Sequence, residues 1–456
     1  MGGSTAAIQT DFALIMGDAR VVKDPAACVG FTIDGVTPNT VVYPTCAEEV
    51  AGALSCAAAH DLAVIPCRNG TKLGIGTAPR RYDVALSLKD MNRVWYYEPD
   101  DLVVSVEPGM KFADLQRFLA RHQLWIPLDP GGGERASVGG ILAANAAGPL
   151  RLQYGGARDM VVGMKIATPD GRIVKTGGRV VKNVAGYDLA KLLIGSYGTL
   201  GVIVEATFKL YPQVPNRATW VIDPATLATA REIRRELLRS PLRPLRMVLL
   251  NAQAQRLLGS NGSGAAAAPE THFAIWIEAG GSDRVLARYA DELSALVAKH
   301  GAAIHTTEKE AAALVWERVA DFGSRLTEEQ QVPVVLRASL PIASAEDFLE
   351  SAEVEGGKQR FDVAGVVQTG VGVVELGLPV AESSGFGPGP EGLIKSLRSA
   401  AASLGGSVVV TRYPAKMKGM IDVWGPPGDD FEVMRKLKAT WDPKSTLSPG
   451  RFVGGL

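Results

Sequence analysis

The stretch PGGGERASVGGILAANAAG, residues 130–148, consists mostly of small side chains. Glycine permits positive φ and lets other atoms approach the main chain closely. Such a segment presents backbone N–H groups, and successive N–H groups can form a concave site for an anion. Ser137 could add a hydroxyl donor. An equally good interpretation of this stretch alone is a tight loop followed by a small-residue helix packed closely on a sheet.

Length and composition indicate two or three domains and give no sign of nucleic-acid binding. The chain has 456 residues, is 46% hydrophobic, and balances 48 basic with 48 acidic residues. Zero net charge provides no long-range attraction to nucleic acid or to an anionic membrane. No apolar run predicts a transmembrane segment, and the N-terminus lacks the pattern of a signal peptide. We expect a cytoplasmic protein, associated with a membrane only peripherally and through partners.

Cysteine and histidine spacing argues against a metal or an iron–sulfur centre. The cysteines are Cys28, Cys46, Cys56 and Cys67, and the histidines are His60, His122, His272, His300 and His305. There is no C-x-x-C motif, and no two histidines are two or four residues apart. We therefore predict free thiols and no metal.

A strand–helix–strand pattern leads to a second glycine-bearing loop. VVYP (41–44) and LAVIPC (62–67) read as strands on either side of a helix, and RNGTKLGIG (68–76) follows them. The nicotinamide fingerprint G-x-G-x-x-G at a strand–helix turn is absent here. Hydrogen-bond donors cluster beside the glycines of this loop, although an ordinary loop is the alternative. We call residues 68–76 the first glycine loop and residues 130–140 the second glycine loop.

The chain changes character after YPQVP (211–215), which predicts a domain boundary. The region 216–420 alternates helical and strand-like segments and predicts an antiparallel sheet with helices on one face. Residues 259–270 and 382–392 read as low-complexity loops.

Four blocks in a fixed order carry a resemblance to a known family. They are PCRNGTKLGIG (66–76), PGGGERASVGGILAANAAGP (130–149), YGGARD (154–159) and KNVAGYDLAKLLIGSYGTLGVI (182–203). Together they resemble the FAD-binding domain of the vanillyl-alcohol-oxidase superfamily, also called the PCMH type. Within it the chain is most similar to the E-type FAD-binding subunits of bacterial glycolate oxidases. The ending LKATWDPKSTLSPGRF (437–452) is similar to the superfamily's ending, but Ser448 stands where the family has Asn.

The resemblance implies an α+β fold in which two subdomains hold FAD between them, with a cap domain over the flavin. It implies an N-terminal segment at 1–34, a PCMH-type FAD-binding domain at 35–212 and an α/β cap domain with an antiparallel sheet at 213–420. Residues 421–456 would return to the FAD domain. The cap domain would shape the substrate site.

The resemblance also implies which residues contact FAD. Backbone N–H groups of the two glycine loops, aided by Thr71 and Ser137, would neutralise the pyrophosphate, and residues 198–203 would allow close approach of the isoalloxazine. The expected contacts are Arg68, Asn69, Gly70, Thr71, Lys72, Leu73, Gly74, Pro130, Ser137, Val138, Gly139, Gly140, Asn145, Gly148, Gly155, Arg158, Asp159, Gly198, Gly201, Val202 and Ile203. Because no histidine occurs between 61 and 121 or between 123 and 271, we predict non-covalent FAD.

The catalytic groups are less clear than the cofactor. FAD-dependent D-2-hydroxyacid dehydrogenases of this superfamily carry a histidine set in the cap domain, and this chain lacks one, so we name no catalytic base. A substrate carboxylate could be held by Arg337, Arg412, Tyr413, Lys416 or Lys418; ordinary structural charge is the alternative for each.

Three functional hypotheses follow. The favoured one is an FAD-binding oxidoreductase subunit of a glycolate or other 2-hydroxy acid oxidase complex, which passes electrons to partner subunits. The resemblance implies two partners, a second FAD subunit and an iron–sulfur subunit. The alternatives are a self-sufficient FAD-dependent 2-hydroxyacid dehydrogenase and a non-catalytic flavoprotein assembly subunit.

Overall fold

The computed structural model describes residues 5–179, 187–259, 272–325, 331–381 and 389–456. Most of the predicted loop at 259–270, most of the loop at 382–392 and the start of the block at 182–203 lie outside these residues.

Nineteen strands occur in the described residues, and they form four sheets. The strands are β1 (Val21–Val22), β2 (Thr40–Val42), β3 (Val64–Cys67), β4 (Val84–Ser87), β5 (Val94–Glu98), β6 (Val103–Val106), β7 (Leu124–Trp125), β8 (Val161–Ala167), β9 (Ile173–Gly177), β10 (Val202–Lys209), β11 (Tyr211–Pro212), β12 (Asn216–Asp223), β13 (Arg246–Asn251), β14 (Phe273–Gly281), β15 (Ala303–Thr307), β16 (Gln331–Ser339), β17 (Ala364–Gln368), β18 (Val373–Ala381) and β19 (Ser407–Arg412).

Helices cover these sheets and connect their strands. The α-helices of the described residues are α1 (Thr5–Met16), α2 (Pro25–Cys28), α3 (Ala47–Ala59), α4 (Phe112–Ala120), α5 (Val138–Ala143), α6 (Arg151–Tyr154), α7 (Ala157–Met160), α8 (Leu189–Leu193), α9 (Leu227–Arg239), α10 (Ala252–Leu257), α11 (Asp283–Lys299), α12 (Lys309–Ala320), α13 (Phe322–Arg325), α14 (Ala345–Lys358), α15 (Glu391–Ser403) and α16 (Phe431–Trp441).

The first subdomain is a small sheet of order β1-β2-β4-β3, in which β2, β4 and β3 are parallel. Helix α3 connects β2 to β3, as the sequence predicted, and β4 lies between them. Val50, Leu54 and Ala57 of α3 are buried because their spacing places them on one face of the helix. The first glycine loop leaves the carboxyl end of β3.

The second subdomain is an antiparallel sheet of order β5-β6-β10-β8-β9. The turn predicted at 169–171 joins β8 to β9. Helix α4 packs on this sheet through Phe112, Leu115 and Leu119. The second glycine loop lies between α4 and α5.

The third and largest sheet has the order β15-β12-β14-β13-β17-β18-β16-β19 and is antiparallel throughout. The predicted α+β class and the antiparallel sheet of the cap region are therefore confirmed.

Helices cover both faces of this sheet, so the expectation of helices on one face is wrong. Met247 and Leu249 of β13 face a core built with α9, α11, α14 and α15, whereas Val248 and Leu250 face a core built with α10 and α12. Side chains alternate between the faces of a strand, and both sets are apolar here, so both faces need a cover.

The C-terminal segment returns to the first domain. Leu447 pairs with Val64 and so extends the first sheet beyond β3. Lys438 of α16 is buried and donates to the carbonyls of Thr199 and Leu447 and to the Asp442 carboxylate, at 2.7, 2.9 and 2.6 Å. This single ammonium group joins the end of the chain to the turn that precedes β10.

We expect Lys438→Met to lower the free energy of unfolding by about 3–5 kcal/mol, because it leaves a buried carboxylate without its charged partner. Urea unfolding followed by tryptophan fluorescence measures the change. Lys436→Met is the matched control, since the Lys436 side chain is 73% exposed on the same helix, and it should shift stability by less than about 0.5 kcal/mol. Equal stability of the two variants would contradict the role of Lys438.

Candidate functional site

A cleft lies where the first two subdomains meet. Its walls come from the first glycine loop, the start of α5, the turn at 196–198 and the beginning of β10. Apolar side chains dominate one wall, among them Ile65, Leu88 and Val202. The cleft therefore combines an apolar surface with a loop rich in hydrogen-bond donors.

The structure brings thirteen of the predicted contact residues together around this cleft. They are Arg68, Asn69, Gly70, Thr71, Lys72, Leu73, Ser137, Gly139, Gly140, Gly198, Gly201, Val202 and Ile203. Gly74 faces an adjoining cavity shared with residues 30–34. The remaining predicted residues do not line the cleft. They are Pro130, Val138, Asn145, Gly148, Gly155, Arg158 and Asp159.

The first glycine loop lines the cleft with residues 68–73. Among the described residues, no protein acceptor is found for the N–H groups of residues 69–72. The buried Nε of Arg68 has no hydrogen-bond partner there either. An unpaired buried donor such as Arg68 Nε is rare in folded proteins and needs an explanation. An anion bound at this loop would provide one.

Two buried cations bind the carbonyl oxygens of the chain segment that follows residues 69–72. Arg451 donates to the carbonyl oxygens of Leu73, Ile75 and Thr77. Lys418 donates to the two carbonyls between them, Gly74 and Gly76, at 2.6 and 3.2 Å. Five consecutive carbonyl oxygens are thus bound to two side chains, and this fixes the conformation of the loop.

A buried carboxylate supports these two cations. Asp34 lies 2.7 Å from Lys418 Nζ and 3.6 Å from Arg451 Nη1. Burial lowers the pKa of Lys418, and the neighbouring Asp34 carboxylate opposes that shift. Gly76 fits here because its φ is +93° and a Cβ atom would lie 2.5 Å from the Arg451 carbonyl oxygen. From the sequence, Lys418 was only a candidate for substrate binding, which its position in this network does not support.

The second glycine loop differs from the expected set of free N–H groups. The N–H groups of Val138 and Gly139 donate to the carbonyls of Met110 and Pro108, and the N–H of Gly140 donates to Ser137 Oγ. These three donors are used in closing the loop onto the segment before α4 and in capping α5. Tertiary contacts thus use groups that the sequence pattern left free.

The two glycine loops are bound to each other. Lys72 Nζ donates to the carbonyl of Gly131, and Asn69 Nδ2 donates to the carbonyl of Arg135, both at 2.8 Å. The N–H of Gly132 donates to Asp321, which follows α12. The second loop therefore positions the first loop and joins both to the cap domain.

The residues outside the cleft have structural surroundings. Gly148 lies against Asp129, where a Cβ atom would be 2.4 Å from the carbonyl oxygen. Asp159 accepts from the N–H of Gly156 and so caps α7, and Gly155 packs against the same carboxylate. Arg158 is exposed. The YGGARD block thus builds a turn beside the cleft.

One wall of the cleft was not predicted from the sequence. Tyr197 has a φ of +52° and packs against Trp424 and Phe452 from the C-terminal segment. Ser448 lines the same wall and donates to the carbonyl of Gly198. The one sequence feature that could have indicated this wall was Ser448, which stands where the family has Asn. Its assembly from three distant segments was not visible in the sequence.

Charged residues of the cap domain approach the cleft from above. Arg337 donates to Glu375 at 2.8 Å, and Arg412 donates to the carbonyl of Gly323. Burial lowers the pKa of Lys72, while the carboxylates of Asp321 and Glu375 act in the opposite direction. Lys72 therefore lies within electrostatic reach of both cap carboxylates.

Two further residues were candidates for binding a substrate carboxylate. Tyr413 donates to Glu391 within the cap domain, and the side chain of Lys416 lies outside the described residues. No histidine of the described ranges lines the cleft. The histidines with ionic partners in the described part of the chain face Asp11, Glu236 and Asp223.

These features fit a bound dinucleotide. The unpaired N–H groups and Arg68 provide donors for a pyrophosphate, and the apolar wall suits a flat ring system. The chemistry of the donor set thus agrees with FAD.

Comparison with known families decides the assignment. A model described as "FAD binding domain" matches residues 38–177, and one described as "FAD linked oxidases, C-terminal domain" matches residues 214–408 and 424–452. The chain is 30% identical to a D-lactate dehydrogenase of Archaeoglobus fulgidus over 420 residues, which cover 91% of each chain. This chain belongs to the FAD-linked oxidase family. It is an FAD-dependent oxidoreductase with FAD as its cofactor.

Other relatives agree with this family. The chain is 25% identical to glycolate oxidase subunit GlcD of Bacillus subtilis, covering 91% of this chain and 89% of the relative. Among solved structures, 4-ethylphenol oxidase from Gulosibacter chungangensis superposes with a TM-score of 0.76 at 16% identity, and p-cresol methylhydroxylase with 0.75 at 17% identity. These structures cover 99% and 98% of the chain, and 97% and 96% of their own chains. The predicted PCMH-type fold is therefore confirmed.

The helices of the described residues include none that is both long and apolar enough to cross a membrane. The predicted domain bounds and the individual FAD contacts stay predictions.

We expect Lys418→Met to weaken FAD binding at least about tenfold, because two loop carbonyls lose their donor and Asp34 loses its nearest cation. Titration of the apoprotein with FAD, followed by flavin fluorescence, measures the dissociation constant. Lys395→Met is the matched control, since Lys395 is exposed on α15 of the same domain. Unchanged affinity in a folded Lys418→Met variant would show that the network does not shape the loop.

We expect the flavin to be released intact on acid precipitation, because no histidine of the described residues lines the cleft to form a covalent bond. The yellow colour should move to the supernatant. The flavin concentration measured there by absorbance should equal the concentration of the protein before precipitation. Flavin that stays with the precipitated protein would contradict non-covalent binding.

Proposed function

We propose that this chain is the FAD-binding subunit of a complex that oxidises a small 2-hydroxy acid such as glycolate. The cap domain supports an anionic substrate, because Arg337, Arg412 and Lys72 lie in the region where it meets the cleft. Relatives named glycolate oxidase subunit and D-lactate dehydrogenase point to the same substrate class.

The observation that carries the subunit assignment is the lack of a histidine or a carboxylate among the described residues that line the cleft. Oxidation of a hydroxy acid requires a group that accepts the hydroxyl proton. In the described ranges, the only acid–base side chains lining the cleft are those of Cys67, Arg68, Lys72, Tyr197 and Arg451. Burial raises the pKa of Cys67 to about 12 and also raises that of Tyr197, so both are protonated at neutral pH.

Bound FAD would supply the two-electron acceptor, and the chain's own residues would hold and orient it. The Arg68 guanidinium and the N–H groups of the first glycine loop would bind the pyrophosphate, while Tyr197 and the apolar wall would exclude water. Electrons would pass to partner subunits, which we propose to be a second FAD protein and an iron–sulfur protein. We also propose that the chain is cytoplasmic and reaches a membrane only through these partners.

A self-sufficient dehydrogenase is the second candidate, and the similarity to D-lactate dehydrogenase over most of the chain favours it. The two candidates differ in what the isolated chain does. An assembly subunit without a redox role is the third, and it predicts a flavin that no partner reduces.

We expect glycolate or D-lactate, mixed anaerobically with the isolated holoprotein, to leave the flavin absorbance unchanged, because no histidine or carboxylate of the described residues lines the cleft to accept the hydroxyl proton. Dithionite should bleach the same sample, which shows that the flavin is reducible. Proteins that co-purify with the chain should restore bleaching by the hydroxy acid. Rapid bleaching of the isolated chain would instead establish the self-sufficient dehydrogenase.

A further inference from the structure

Three side chains with metal-binding atoms meet between α1 and α3, outside the cleft. Asp11 comes from α1, and Cys56 and His60 come from α3 and its C-terminal end. A carboxylate oxygen, the thiol sulfur and a ring nitrogen lie within 4.8 Å of one another. Asp11 Oδ2 and His60 Nε2 are 2.8 Å apart. None of the three residues takes part in the proposed function.

The fold explains why these residues meet. Cys56 and His60 are four positions apart, so they lie on the same side of the helix. Phe12 and Met16 of α1 are fully buried in the core that also contains Leu54 of α3. This packing fixes the distance between the helices and brings Asp11 to the other two side chains. The cluster therefore rests on a rigid apolar contact.

We propose that Asp11, Cys56 and His60 form a zinc site that joins α1 to α3, with water as the fourth ligand. Carboxylate, thiolate and imidazole are the three ligand types that Zn²⁺ takes in proteins, and three protein ligands leave one position for water. An ion can reach the cluster from solvent, since the side chains of Asp11 and His60 are 45% and 28% exposed.

Metal binding at this cluster exchanges one contact for three. The Zn²⁺ ion replaces the hydrogen bond between Asp11 and His60, and the proton of the Cys56 thiol leaves to solvent. Burial, together with the nearby Asp11, raises the pKa of Cys56 to about 11, so the free group is a thiol and not a reactive thiolate. The bound ion adds a bond between helices that otherwise meet through apolar side chains, and it stabilises the docking of α1.

The test is Co²⁺ titration of the metal-free holoprotein, because tetrahedral Co²⁺ bound to a thiolate has visible bands at longer wavelengths than oxidised flavin absorbs. We expect one Co²⁺ per chain, displaced by Zn²⁺. Cys56→Ser and His60→Ala should each weaken binding at least about tenfold. Cys46→Ser is the matched control, since it removes a partly buried thiol of the same region outside the cluster, and it should bind Co²⁺ as the parent does.

Two results would overturn the proposal. One is the absence of tetrahedral bands in the parent protein, and the other is equal Co²⁺ binding by the Cys56→Ser and Cys46→Ser variants. Asp11→Asn provides a third variant that leaves α3 unchanged, and its circular dichroism and flavin content should match the parent. Limited proteolysis supplies an independent measurement, because Zn²⁺ should slow cleavage within α1 in the parent and not in Asp11→Asn.

Discussion

The cofactor cleft depends on two buried cations that bind the main chain of the first glycine loop. Lys418 comes from the cap region and Arg451 from the C-terminus, and together they bind the five consecutive carbonyl oxygens of residues 73–77, at the end of the first glycine loop. The same loop carries the N–H groups of residues 69–72, for which no protein acceptor is found among the described residues. A loop of small residues would otherwise sample many conformations. Asp34 offsets one of the two positive charges and links the N-terminal segment to the same point.

This arrangement couples flavin binding to the assembly of the whole chain. The loop is held by residues from the N-terminal segment, the cap region and the last few residues, and the second glycine loop adds a contact to Asp321. Arg246 of the cap sheet forms a buried pair with Glu278 and lies 3.6 Å from Asp129, at the start of the second loop. A change in the cap domain can therefore reach the cofactor site through short, buried polar contacts.

The sequence predicted local structure wherever backbone conformation or the periodicity of apolar residues determines that structure. The β2–α3–β3 unit, the β8–β9 turn and the buried face of α4 follow from apolar spacing and turn residues within about twenty positions. The hydrogen-bond partners of Lys418 and of the N–H groups of Val138 and Gly139 do not follow from such local patterns. Their partners are Asp34, Met110 and Pro108. These partners are distant in sequence, and contacts between distant residues produce no periodic pattern along the chain. The two covered faces of the cap sheet were readable in principle, since RMVLLN at 246–251 is apolar at both alternating sets of positions.

The sequence by itself indicated that this chain binds FAD, because four ordered blocks resemble the FAD-binding domain of a known family. Residues 130–148 also determined that a tight loop and a small-residue helix stand beside the site. Only the tertiary structure decided which loop has N–H groups without a protein acceptor among the described residues, because hydrogen bonds to distant carbonyls use those of the second loop and leave those of the first. It also decided that Asp11 meets Cys56 and His60, since that contact arises from helix packing and not from spacing along the chain.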